Sequence, residues 1–137
     1  MNFTLEQGNG AQKLIVGQAV AVVLPISDER RAKQGWDARF HSQVVLVDGS
    51  GGLDTRTTAE MVKAFKSSGV ELAYIADTKE AVNKANVKSI RTFKSKDDAP
   101  VKYFHSVATT VAGRDQWMAA TPEQIAVAKA GVVPANG

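Results

Sequence analysis

The sequence predicts an α+β domain: a mixed, mostly antiparallel β-sheet with two or three short helices and a β-rich N-terminal region. Three observations carry this. β-branched apolar runs recur at residues 14–24 and 43–47. Capping-box spacings at Thr57–Glu60 and Thr121–Gln124 mark helix starts. Strand-like and helix-like segments alternate in the middle of the chain, while both ends read as strands better suited to antiparallel pairing.

Taken in order, residues 2–26 read as extended. Phe3 and Leu5 alternate with polar neighbours, Gly8-Asn9-Gly10 makes a turn, and Leu14-Ile15-Val16 and Ala19–Leu24 continue the apolar pattern until Pro25 closes it. Residues 27–35 are polar and mixed in sign and end in Gly35, which suits a short exposed helix or a long loop; no apolar stripe chooses between them. Phe40–Val47 reads as a strand apolar on both faces, as in the middle of a sheet, and runs into a flexible Asp48-Gly49-Ser50-Gly51-Gly52 turn.

The helix after Thr57 is the best defined, with Met61, Val62 and Phe65 on one face and Gly69 as its stop. Residues 70–76 have strand composition, and Asp77-Thr78-Lys79-Glu80 is expected to open a second capped helix ending at Asn86. Val87–Lys94 and Val101–Val111 read as two strands, the second with Val101, Tyr103, His105 and Val107 on one face. Thr121-Pro122-Glu123-Gln124 then starts a helix that Gly131 ends. The expected organisation is one domain over residues 1–131 and a flexible tail at 132–137.

Composition excludes several chemistries. The 137 residues include no Cys, so thiolate catalysis, Cys-based zinc sites and iron–sulfur clusters are ruled out. The start of the chain lacks the basic and apolar pattern of a signal peptide, and the longest apolar stretch, Leu14–Ile26, is too short to span a bilayer. The expectation is a cytoplasmic protein, or a virion component if phage-encoded, without membrane contact. Charge is uneven: residues 56–102 carry ten basic side chains against six acidic ones.

The Gly-rich turn invites a search for chemistry. It lacks the Gly-Lys-Ser/Thr of a phosphate-binding loop, and Asp48 and Asp54 flank it where a phosphate would be repelled. Val44–Gly52 resembles the metal-site strand of von Willebrand A domains, whose motif is Asp-x-Ser-x-Ser. Gly52 stands where the second serine belongs and fewer than ten residues match, so that family's metal site is not carried over. Asp48, Ser50 and Asp54 remain a set of oxygens for a divalent cation or a small hydrolase. A serine nucleophile would need a base, and the two histidines, His41 and His105, lie in strand contexts unsuited to reaching Ser50.

The first alternative, ahead of that hydrolase or metal reading, is single-stranded nucleic acid binding. Lys88, Arg91, Phe93, Lys94, Lys96, Lys102 and Tyr103 mix basic and aromatic side chains as stacking and phosphate contacts require. No catalytic residue, metal ligand or cofactor is assigned. The leading expectation is a non-enzymatic structural subunit of a larger homo-oligomeric assembly, specifically a phage head or tail component.

Overall fold

The computed structural model describes residues 2–8, 10–92 and 105–129. Along these the elements are β1 (Asn2–Glu6), β2 (Gln12–Val16), a 3-10 turn (Gly17–Ala19), β3 (Val20–Pro25), α1 (Asp28–Gln34), β4 (Ser42–Leu46), β5 (Gly51–Asp54) and α2 (Thr58–Ser67). They continue with β6 (Ala73–Ile75), β7 (Glu80–Val82), β8 (Val87–Thr92), β9 (Ser106–Thr110), β10 (Asp115–Met118) and α3 (Pro122–Lys129). The architecture is α+β, as the sequence predicts.

Every strand pairing is antiparallel. A five-stranded sheet has the order β5-β4-β3-β7-β6, a three-stranded sheet the order β10-β9-β8, and β1 and β2 form a separate hairpin. The βαβ-like alternation read in residues 40–94 is therefore corrected. The strands flanking α2 are joined to their partners through hairpins, so no parallel crossover is needed.

β3 lies at the middle of the larger sheet, with Val20 through Leu24 all buried. Its register against β4 shifts between Val20 and Val22, and the side chains divide accordingly. Ala21, Val22 and Leu24 enter one apolar cluster with Ile75, Val82, Val87, Ala108, Met118 and Ile125. Val20 and Val23 enter the other with Phe3, Leu5, Ile15, Val44, Met61 and Phe65. The sheet is thus covered on one side by the β1–β2 hairpin and α2, and on the other by the smaller sheet and α3. On the first side Phe3 stacks on Phe65 with ring centroids 3.8 Å apart.

Three hairpins use the same connection. The backbone N–H of Gln7 donates to the Ala11 carbonyl, that of Leu46 to Ser50, and that of Thr110 to Arg114, each across a three-residue loop. The third loop residue is Gly10, Gly49 or Gly113, with φ between 76° and 87°. At Gly49 and Gly113 the last loop position is the one that turns left-handed, so a single glycine specifies the loop; in the first hairpin Gly8, at φ 81°, is left-handed as well.

The helices confirm the end signals. Ser27 caps α1 through the Arg30 N–H and Gly35 ends it at φ 72°, which settles residues 27–35 as helix. Thr57 and Glu60 form a reciprocal capping box at α2, and Thr121 and Gln124 exchange the same pair of bonds at α3.

Two expectations fail. The helix read over residues 77–86 is a turn followed by β7. Lys79 adopts φ 61°, and the following residues alternate across the sheet, Ala81 into one cluster and Val82 into the other. The cap-like spacing is present, but a strand buried on both faces overrides it. Gly51 and Gly52 are not loop but the start of β5; β10 occupies residues to which the sequence reading assigns no element. Residues 93–104 and the tail at 132–137 lie outside the described residues.

Candidate functional site

The oxygens proposed for a cation do not converge. Asp48 Oδ1 accepts from the Ser50 N–H at 2.9 Å and from the Ser50 hydroxyl at 2.5 Å. The hydroxyl bond, reinforced by the amide bond, holds the Asp48 carboxyl below its ordinary range. This is a local turn closure at one end of β5.

Asp54 sits at the other end, fully buried. Its Oδ2 accepts from the Glu6 N–H and Arg56 Nη2, each at 2.8 Å; Oδ1 accepts from the Arg56 N–H at 2.7 Å and Nε at 3.0 Å. Both oxygens are therefore committed to the protein's own donors. The bond to Asp54 also raises the Arg56 guanidinium above its ordinary value. Arg56 Nη2 further donates to the Thr4 carbonyl at 3.0 Å, and the guanidinium lies 5.4 Å from the Phe3 ring centroid. The pair is a clasp that fixes β1 against the end of β5. Among the described residues, no group of three or more His, Asp or Glu side chains is placed to hold a metal ion.

Both histidines named as candidate bases are engaged elsewhere than at Ser50. His105 is exposed, with Nδ1 2.7 Å from the Ala119 carbonyl, and His41 lies at the start of β4 with its backbone N–H on the Asp54 carbonyl. His105 therefore sits across from the end of β10, with its backbone N–H on the Met118 carbonyl. Of the nucleic-acid set, Lys88 and Arg91 are exposed on β8, where Arg91 Nη2 lies 3.7 Å from Asp115 of β10. Phe93, Lys94, Lys96, Lys102 and Tyr103 lie outside the described residues.

Sequence reasoning missed Glu80, which it placed in a helix. Glu80 is only 3% exposed on β7; its carboxylate accepts the Ala119 N–H at 2.9 Å and the Ala120 N–H at 2.8 Å. Burial pushes its carboxyl above the ordinary value, and those amide bonds oppose the shift without cancelling it. The arrangement straps the larger sheet to the link between β10 and α3. Gln124, whose Nε2 donates to Asp77 at 3.0 Å, adds a second tie beside it.

The remaining feature is the outer strand of the N-terminal hairpin. β2 pairs with β1 on one side only among the described residues. Ile15 points into the core, whereas Leu14 and Val16 are 65% and 51% exposed on the opposite face. Gly52 explains how the hairpin sits so closely over β5. A side chain there would come within 2.9 Å of Leu5 Cδ1 and 3.3 Å of Lys13 Cδ, and Lys13 Nζ donates to the Gly51 carbonyl at 2.6 Å. The glycines singled out as a ligand loop thus serve close packing of backbone and hairpin.

Among the described residues no helix is long and apolar enough to cross a membrane. Compared with family models, curated proteins and solved structures, the chain shows no match.

Proposed function

We propose that this protein is a non-enzymatic assembly subunit that associates with further copies of itself, a phage head or tail being the assembly to which the sequence reading assigns it. The observation that carries the reading is the edge of β2, open among the described residues. A strand with one side unpartnered and two large apolar side chains in water is a template for adding another strand, and natural monomers usually blunt such edges with charge, proline or a bulge. Between Gln12 and Val16 the only charge is Lys13, whose ammonium is already occupied by the Gly51 carbonyl.

The site geometry supports the same direction. Asp54 and Glu80 have both carboxylate oxygens committed to the fold, through the Arg56 clasp and backbone amides, and Asp48 and Ser50 close a local turn on each other. Sedimentation velocity of the full chain over a hundredfold concentration range tests the proposal. A weight-average mass that rises with concentration is expected; a monomer throughout would refute it.

A further inference from the structure

We infer that the partner on the open edge is the β2 strand of a second copy, paired antiparallel about a two-fold axis that passes between the two Leu14 residues. This rests on the assembly reading above and gives it a partner and a register. The first step is to establish which backbone groups face outward. The Glu6 N–H donates to Asp54 and the Glu6 carbonyl accepts from the Thr55 N–H, while the Thr4 carbonyl accepts from Arg56. Glu6 and Thr4 therefore direct these backbone groups away from β2.

In an antiparallel ladder, directly opposed pairs alternate between bonded and unbonded. Glu6↔Gln12, Thr4↔Leu14 and Asn2↔Val16 are accordingly the unbonded pairs of the hairpin. The N–H and C=O groups of Gln12 and Leu14 and the N–H of Val16 point to the open side, the Val16 carbonyl being taken by the 3-10 turn that Val16 caps. Their side chains, with that of Lys13, are exposed, and at Leu14 and Val16 one position offers both a main-chain group and apolar surface.

Self-pairing has few possible registers. Centred on Leu14, it sets Leu14 against its own copy and Gln12 against Val16 of the other chain. Leu14 then exchanges both bonds with its copy, the Val16 N–H faces the Gln12 carbonyl of the other chain, and Lys13 lies opposite Ile15. Centred on Lys13, two ammonium groups oppose each other across a close unbonded pair, which is unfavourable. Centred on Gln12 or Val16, the second strand would run into the Gly10 turn or the Gly17–Ala19 turn, neither of which is extended. Centred on Ile15, Gln12 is left without a strand partner.

A five-residue strand pair falls short of the roughly 1,200–2,000 Å² buried by stable complexes, so the contact is weak and concentration-dependent. A repeating assembly can add many such contacts.

Because the chain has no cysteine, Leu14→Cys introduces a single thiol. Opposed residues of a bonded pair have Cα atoms about 5.5 Å apart, within disulfide range. At concentrations where the wild-type protein associates, mild oxidation is expected to convert Leu14→Cys to a covalent dimer much faster than Val111→Cys, an exposed valine elsewhere on the surface. Leu14→Lys is expected to weaken self-association at least tenfold while leaving the thermal melt unchanged. If Leu14→Lys associates like wild type and Leu14→Cys crosslinks no faster than Val111→Cys, the register and the edge are wrong, although assembly through another surface still stands. A chain that is monomeric at every concentration overturns both proposals.

Discussion

Gly51 gives the sharpest test of the packing argument. It opposes Val45 in the β4–β5 pair, with φ 149°, and a Cβ built there would lie 1.9 Å from the Val44 carbonyl oxygen. No rotamer change relieves this contact, because both atoms belong to backbone. Gly51→Ala must either move β5 away from β4 or force the residue to another φ, and both routes disturb the adjacent bond from the Leu46 N–H to the Ser50 carbonyl. Backbone strain of about 1–3 kcal/mol and the loss of one or two ladder bonds at about 1 kcal/mol each give roughly 3–4 kcal/mol. For a chain of this length that is a fall in melting temperature of roughly 10–15 °C. Gly113→Ala is the control, since Gly113 has φ 85° but nothing within 4 Å of its Cβ position. It pays only the left-handed cost of about 1–2 kcal/mol. Thermal unfolding followed by circular dichroism separates the two variants. If Gly51→Ala melts no lower than Gly113→Ala, the close approach of β5 to β4 is refuted.

Two further outcomes test the buried polar groups. Asp54→Ala leaves the Glu6 N–H and the partly buried Arg56 guanidinium without their acceptor, and is expected to cost about 3–5 kcal/mol in urea unfolding. Adding Arg56→Met should cost far less than the sum of the two single variants, and simple additivity would show that the clasp is not a coupled unit. Glu80 has a raised carboxyl value in the fold, so its protonated form is favoured there. Its stabilising contribution is complete below the unfolded value and is lost as pH rises through the folded one. Unfolding free energy measured from pH 4 upward should show this decline in the wild type and not in Glu80→Gln; identical slopes would contradict the assignment.

The parts of the fold legible in the sequence were those set by local chemistry. The Thr57 and Thr121 caps, the Gly10 turn and the apolar alternation of Phe3 and Leu5 each act within a few residues, and each appears where its chemistry places it. Segments whose state depends on distant partners were harder. Asp77–Glu80 imitates a helix start, yet Glu80 is drawn into β7 by amides some forty positions away. Gly51 and Gly52 look like a loop because their reason for being glycine is the backbone of Val44 and the side chain of Leu5, neither visible locally. Gly113 was a usable clue to the β9–β10 hairpin, since it stands in its loop as Gly49 does in the preceding case. The apolar pattern at Leu14-Ile15-Val16 announced a strand, but its open side follows only from the topology.

β3 carries a consequence for how the chain reaches this state. Its buried run, Val20–Leu24, is apolar and β-branched, the composition from which intermolecular cross-β stacks form when such a segment is left bare. Both of its ladder partners, β4 and β7, come later in the chain, and β7 pairs through Val22↔Val82 across a long intervening stretch. A ribosome extends the N-terminus first, so this run emerges before either neighbour exists. Pro25 closes one end of it, and the soluble α1 helix directly behind, with no buried residue, keeps the emerging chain polar until β4 arrives. Slow synthesis between Pro25 and Leu46 would lengthen that bare interval, and losses during production of the protein should concentrate there.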